Sequence, residues 1–155
     1  MKLMSLYEDA MNELIFDYDE DEDGVTISAI KNRETLGKIV IVMIFDAYRE
    51  FEDAIEDPDI DFDDNDYNKL FPNDRFTKIE HLDVEDKAKG TGIGKALMQK
   101  SIAYARSEGD NIMYLNASPM GFKGLRINDL VGFYKSFGFQ TLIDSGHNVE
   151  MFMNI

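Results

Sequence analysis

The sequence predicts an α/β protein built on a mixed sheet: an antiparallel meander, then a strand–helix–strand unit, then a helix and a closing hairpin. Three observations carry this. Val25 to Lys31 alternates apolar and polar residues, Val-Thr-Ile-Ser-Ala-Ile-Lys, which is the period of a strand with one buried face. An apolar-periodic stretch, Arg75 to Val84, runs into a loop with glycines at positions 90, 92 and 94, and an amphipathic helical pattern leaves that loop at once. Near the end, Phe139 to Ile143 and Val149 to Met153 flank the turn Asp144-Ser145-Gly146-His147-Asn148, as in a hairpin.

The remaining elements follow in order. Residues 5–13 read as a short helix, with Ser5 as N-cap and Glu8 completing a capping box. Glu13 to Tyr18 reads as a strand, and Asp19 to Gly24 as an acidic turn. Asn32 to Gly37 is a second turn, and Lys38 to Tyr48, rich in Ile and Val, is the candidate for a central, doubly covered strand. Arg49 to Asn73 holds dense charge, two prolines and scattered apolar residues; apart from a short helix that turns Phe51 and Ile55 inward, it reads as a long loop of the kind that forms lids. On the strand that follows, Lys78, Glu80, Leu82 and Val84 share a face. The helix Gly92–Ser107 puts Ile93, Leu97 and Tyr104 on its apolar side, Lys95, Gln99 and Arg106 on its wet side, and Gly109 past its end. Ile112 to Asn116 is a short buried strand, 117–126 a loop, and Ile127–Phe137 a helix ended by Gly138.

With 155 residues, 44% of them hydrophobic, the chain is long enough for a single domain, in which the acidic stretch at about 49–73 is an insertion. The longest apolar run, Ile39 to Phe45, is too short to span a bilayer, and the first residues lack the h-region of a signal peptide, so a cytoplasmic protein is expected. There is no cysteine, which excludes disulfides, a thiolate nucleophile and a Cys-based zinc site; with two histidines, no metal centre is expected. Asp19-Glu20-Asp21-Glu22-Asp23-Gly24 imitates the start of a calcium loop, but the position that needs a glutamate is Ile30, so an acidic hairpin turn is the expectation.

Charge is divided along the chain. Residues 1–86 hold 26 acidic and 8 basic side chains, and residues 87–155 hold 5 and 8. The first part repels nucleic acid and attracts cations, while the second tolerates an anion. The glycine loop is where an anion would sit, because bare N–H groups at a helix N-terminus make a phosphate cradle. It is not a Walker A loop: Gly90 to Lys95 is one residue too short, and Ala96 stands where a magnesium-binding hydroxyl belongs. Nor is it a dinucleotide fingerprint, since Lys95 replaces the last glycine.

Two segments together resemble the GNAT superfamily of N-acetyltransferases. Leu82-Asp83-Val84 ends the strand, and Lys89-Gly90-Thr91-Gly92-Ile93-Gly94 opens the helix, matching the family's Arg/Gln-x-x-Gly-x-Gly/Ala pattern with lysine in the first place. About forty residues later Phe133-Tyr134-Lys135-Ser136-Phe137-Gly138-Phe139 matches its aromatic-Tyr-x-x-x-Gly-Phe segment. The likeness covers about residues 76–143. The family's two helices between its first and second strands are not evident, and the acidic stretch after Tyr48 is the candidate to form the acceptor site in their place.

The resemblance implies a GNAT-like fold and acetyl-CoA as cosubstrate, with no metal. The amides of Gly90, Thr91, Gly92, Ile93, Gly94 and Lys95 would hold the pyrophosphate, with Lys89 and Lys95 adding charge. Leu82 and Val84 would pair with the pantetheine arm, a backbone N–H near Val84 would meet the oxyanion, and Asn116 follows the strand facing the cofactor cleft, as a contact of the pantetheine or acceptor or as a turn former. Glu80 is the candidate to take the acceptor's proton, and Tyr134 to protonate the leaving thiolate. Ser118 is an alternative contact or a turn former. His81 points away from Glu80 and reads as structural, and His147 as exposed. Eleven acids between Asp46 and Asp66, with one arginine among them, make a small-molecule or peptide amine of positive charge the expected acceptor. Neither nucleic acid nor membrane is an expected partner, and a homodimer is compatible with the reading. The alternative is a non-enzymatic protein on the same scaffold that docks a basic partner through its acidic face.

Overall fold

The computed structural model describes residues 13–118 and 126–155. The helix expected at 5–13 and most of the loop expected at 117–126 lie outside them. Among the described residues, seven strands, β1 (Ile15–Glu20), β2 (Gly24–Lys31), β3 (Glu34–Ile44), β4 (Phe76–Val84), β5 (Ile112–Ala117), β6 (Gln140–Asp144) and β7 (Val149–Asn154), follow the order β1-β2-β3-β4-β5-β7-β6. The chain divides into two compact units, one of residues up to Val42 with Glu80–Tyr104, the other of Met43–Ile79 with Ala105–Ile155.

In the first unit, β1 (Ile15–Glu20), β2 (Gly24–Lys31) and β3 (Glu34–Ile44, whose last two residues belong to the second unit) form the antiparallel meander. The acidic turn after β1 is closed by Asp21, whose carboxylate accepts from the N–H groups of Asp23 (2.9 Å) and Gly24 (2.8 Å). The second turn is tighter than expected. Asn32 and Arg33 both take positive φ, 54° and 63°, the primed two-residue hairpin turn that matches the strands' twist. β3 therefore begins at Glu34 and ends before Tyr48. Its alternate residues Ile39 and Ile41 are fully buried, as are Val25, Ile27 and Ala29 of β2. The residues after Val84 form a 3-10 turn, Asp86–Ala88, and a helix, α3, Ile93–Ser107, whose last three residues belong to the second unit. On α3, Ile93, Leu97 and Ser101 are buried at helical spacing. Lys100 lies over the Phe16 ring at 5.1 Å, and Tyr104 stacks on Tyr18 at 6.1 Å.

The second unit corrects the reading of Arg49–Asn73 as mostly loop. A 3-10 turn (Ala47–Glu50), α1 (Glu52–Glu56) and α2 (Asp64–Leu70) occupy it. α2 starts on a reciprocal cap: Asp63 accepts from the Asp66 N–H at 2.9 Å, and Asp66 accepts from the Asp63 N–H at 3.1 Å. The scattered apolar residues converge on one aromatic core. The Phe51 ring, wholly buried, lies 5.2 Å from Phe71, 5.2 Å from Tyr114, 5.5 Å from Phe62 and 5.8 Å from Tyr67. Edge-to-face and offset pairs of this kind add to the stabilisation from buried area. The carboxylates Glu52, Asp53, Glu56, Asp59, Asp61, Asp63 and Asp64 stay exposed, as an acidic skin on that core.

β4 (Phe76–Val84) gives its first four residues to the second unit and its last five to the first. It runs parallel to β5 (Ile112–Ala117) over Thr77–Ile79 and Met113–Leu115. β5 is antiparallel to β7 (Val149–Asn154), which pairs with β6 (Gln140–Asp144), and α4 (Ile127–Lys135) precedes that hairpin. Arg75 and Asp110 lock the starts of β4 and β5: the Asp110 carboxylate is buried, with Arg75 Nε donating at 2.5 Å and Thr77 Oγ1 at 2.6 Å. No helix among the described residues is long and apolar enough to cross a membrane.

In the first unit, one residue sets how closely β3, β4 and α3 approach. A Cβ added at Gly37 would stand 2.9 Å from the Asp83 carbonyl oxygen, 3.1 Å from Ile93 Cγ2 and 3.2 Å from Leu97 Cδ1. Gly37→Val should therefore cost ~1–3 kcal/mol through overpacking, read as a lower melting temperature. Gly132→Ala, in the middle of α4 with open space around it, should be neutral or stabilising by up to about 1 kcal/mol.

Candidate active site

Gly37 packs the end of β4 and the first turn of α3 against β3, and the Glu85 N–H donates to the Leu36 carbonyl at 2.8 Å just beyond. Between these fixed ends the chain makes the glycine loop. Gly90 (φ 77°) and Gly92 (φ 88°) both take left-handed backbone, where an L side chain is strained, and the position of a Cβ on either is open space. The loop's own hydrogen bonds are local. Thr91 donates from its N–H to the Ala88 carbonyl at 3.3 Å and from its hydroxyl to the same oxygen. Ala96 is the first residue of α3 with a helical bond, to Gly92 at 3.0 Å. By helix geometry the N–H groups of Ile93, Gly94 and Lys95 have no carbonyl to donate to within the helix. Three donors at the positive end of a 15-residue helix suit an anion. The Thr91 amide, expected with them, is committed to Ala88.

The lysines around the loop are not equivalent. Lys87 pairs with Glu34, and Lys89 with Asp86 at 2.8 Å, where the ammonium holds the exposed Asp86 carboxyl below its ordinary value. These are surface pairs, worth little and easily exchanged for a ligand anion. Lys95, exposed on the first turn of α3, has no ion pair among the described residues. The cradle thus fits a pyrophosphate: orphan amides, side-chain-free turns and an uncommitted cation. Ile93 differs from its neighbours, because its side chain is buried and only its backbone faces the loop.

In the same unit, Leu82 is buried, Val84 half-buried and Glu80 exposed. The ladder to β5 stops at Ile79, so these residues lie beyond it on β4. His81, on the other face, is exposed, as is His147 in the last hairpin turn.

The second unit holds Tyr134 and Asn116. Tyr134 is buried on α4, with its ring 5.3 Å from Phe133 and 5.9 Å from Phe139. Burial pushes its phenol up to about 12, so it stays protonated throughout the physiological range. Asn116, exposed near the end of β5, stands opposite Glu150 of β7. The sequence reading passed over Glu150. It accepts a 2.5 Å hydrogen bond from the Tyr114 hydroxyl, and burial raises its carboxyl above the ordinary value, partly offset by that bond and by Lys78. Lys78 itself donates to Glu50 at 3.1 Å. The one signal was a glutamate inside an otherwise apolar strand, Val149-Glu150-Met151-Phe152-Met153. Among the described residues, no group of three or more His, Cys, Asp or Glu is placed to hold a metal ion.

No curated protein matches the sequence. Solved structures match in fold. The PaiA N-acetyltransferase of Thermoplasma acidophilum, solved with coenzyme A, superposes with a TM-score of 0.55 at 15% identity, over 86% of this chain and 62% of its own. The ribosomal-protein-S18-alanine N-acetyltransferase of Escherichia coli gives 0.57 at 12%, over 88% and 72%. Arylalkylamine N-acetyltransferase 2 of Aedes aegypti gives 0.56 at 22%, over 84% and 73%. This chain thus spans a little under two thirds of the first and rather more of the others. The model of the acetyltransferase (GNAT) family matches residues 2–139, and the chain belongs to that family.

Proposed function

We propose that the protein is an acetyl-CoA-dependent N-acetyltransferase whose acceptor is a cationic amine. The observation that carries it is the loop at Gly90–Lys95: left-handed glycines, orphan amides at the start of α3 and a lysine with no ion pair among the described residues. The family match and the coenzyme A held by a structural relative support the same reading.

Bound acetyl-CoA supplies an activated acyl group as a thioester. The chain's residues bind it, orient it and move a proton. The N–H groups of Gly90 and of Gly92–Lys95 hold the pyrophosphate, with Lys95 and Lys89 adding charge. Leu82 and Val84 present the β4 edge to the pantetheine arm, and a backbone N–H near Val84 meets the oxyanion; Asn116 is assigned a polar contact by the family resemblance alone. Glu80 takes the proton that an ammonium acceptor must lose before it attacks. Tyr134 is assigned to the sulfur by its match to the family's aromatic-Tyr segment. A phenol at about 12 is a poor acid toward a thiolate whose own value is about 8.5. Full transfer is uphill, so Tyr134 stabilises the leaving sulfur by donating a hydrogen bond and keeping its proton. The acidic skin of the 46–66 segment attracts the acceptor's charge.

Three outcomes test this. Coenzyme A should raise the melting temperature, with a stabilisation of about 2.7 kcal/mol at one hundred times its Kd, and Lys95→Gln should weaken binding by a factor of about two to five, as for an exposed ion pair; no shift at all would remove the first step of the reading. Thiol release from acetyl-CoA with a panel of amines should show a KM that rises with ionic strength, and a flat response would assign a neutral acceptor. Tyr134→Phe should lower kcat. Because the folded phenol is raised from 10 to about 12, the wild-type rate should show no fall near pH 10 that disappears in Tyr134→Phe; such a fall would contradict the role given to Tyr134.

A further inference from the structure

We propose that a second, smaller site in the Met43–Ile79/Ala105–Ile155 unit binds a small oxyanion, a carboxylate or phosphate, through Lys69 and Arg75. The site is a pocket of about 200 Å³ where the end of α2 and the starts of β4 and β5 meet the end of β7. It shares no residue with the glycine loop, and its argument does not depend on the acetyltransferase reading.

Charge is the first argument. The chain carries a net charge of −15, yet the charged side chains lining this pocket are Lys69, Arg75 and Asp110, a balance of +1. None of the eleven acids between Asp46 and Asp66 lines it. Arg75 and Asp110 offset one another as an ion pair, so the net positive charge is that of Lys69, while Arg75 contributes N–H donors not used by Asp110. Lys69, exposed in the last turn of α2, has no ion pair among the described residues, in a chain where acids outnumber bases 31 to 16.

Preorganisation is the second. Asp110 holds Arg75 Nε, the Glu108 carbonyl accepts from one of its terminal nitrogens at 3.4 Å, and the Phe45 ring lies 5.1 Å from the guanidinium carbon. The guanidinium plane is therefore fixed, with N–H donors left over from its five. A donor already held in place gives up little entropy when it takes an oxyanion. Asn73, Asn111 and Asn154 line the rest, and their amides suit the polar body of a small acid.

Size is the third. A volume of about 200 Å³ lies below the roughly 300–1,000 Å³ of sites for drug-sized ligands. A nucleotide or coenzyme A is too large, whereas inorganic phosphate or a carboxylic acid of a few carbons fits.

The test is a proton–nitrogen NMR titration of the full chain with succinate and, separately, with inorganic phosphate, ionic strength being held constant with sodium chloride. Saturating shifts at Gly109, Asn111 and Asn154 are expected with at least one probe, and the probe that acts identifies the head group. Lys69→Gln should weaken that binding by a factor of about two to five, as for an exposed ion pair, and Asn154→Asp, which adds a carboxylate to the lining, should abolish it. Lys95→Gln should leave it unchanged. Non-saturating shifts with both probes, shifts confined to the amides of Gly90–Lys95, or an unaltered affinity in Lys69→Gln would each overturn the proposal.

Discussion

At Gly37 there is room for a hydrogen atom and for nothing larger. The Asp83 carbonyl, Ile93 and Leu97 all close on that point. These three residues bracket the glycine loop, one on the strand before it and two on the helix after it. The contact therefore sets the span that the loop must bridge. Over that span the chain uses a 3-10 turn and two left-handed glycines, and it delivers the start of α3 with its first amides unspent. A larger residue at 37 would push strand and helix apart, and the loop would change shape without a mutation of its own.

Electrostatics then decides what the loop is good for. In a chain of net charge −15, an anion is disfavoured at most surfaces. Around the loop two lysines are matched by their own acids, Lys87 by Glu34 and Lys89 by Asp86. What remains for a ligand is the fixed dipole of α3 and the charge of Lys95, which has no ion pair among the described residues. The acids of the 46–66 segment are exposed over an aromatic core and can serve a cation.

The parts legible in the sequence were the local ones. Alternation gave β2, the glycine spacing gave the loop and the start of α3, and Gly138 marked the end of α4. The acidic stretch was misread because its order is not periodic. Phe51, Phe62, Tyr67 and Phe71 come from three short segments separated by Pro58, and they form a pattern only once folded against Phe76 and Tyr114. The cap on α2 uses aspartate where glutamate or glutamine is usual. The turn at Asn32-Arg33 places an arginine in left-handed backbone, a choice that local preference does not announce. In the candidate site, the glycine spacing marked the loop, while Leu82 and Val84 entered only through the family resemblance. The state of each lysine could not be read from spacing, since Glu34 is 53 residues from Lys87. Likewise the rise in the Tyr134 phenol comes from burial, which a sequence does not state.

The most direct test of the account is the structure of the protein crystallised with coenzyme A. It should place pyrophosphate oxygens about 3 Å from the N–H groups of Ile93, Gly94 and Lys95, with the pantetheine arm along Leu82–Val84. Coenzyme A bound elsewhere on the chain, with those amides facing only water, would contradict it.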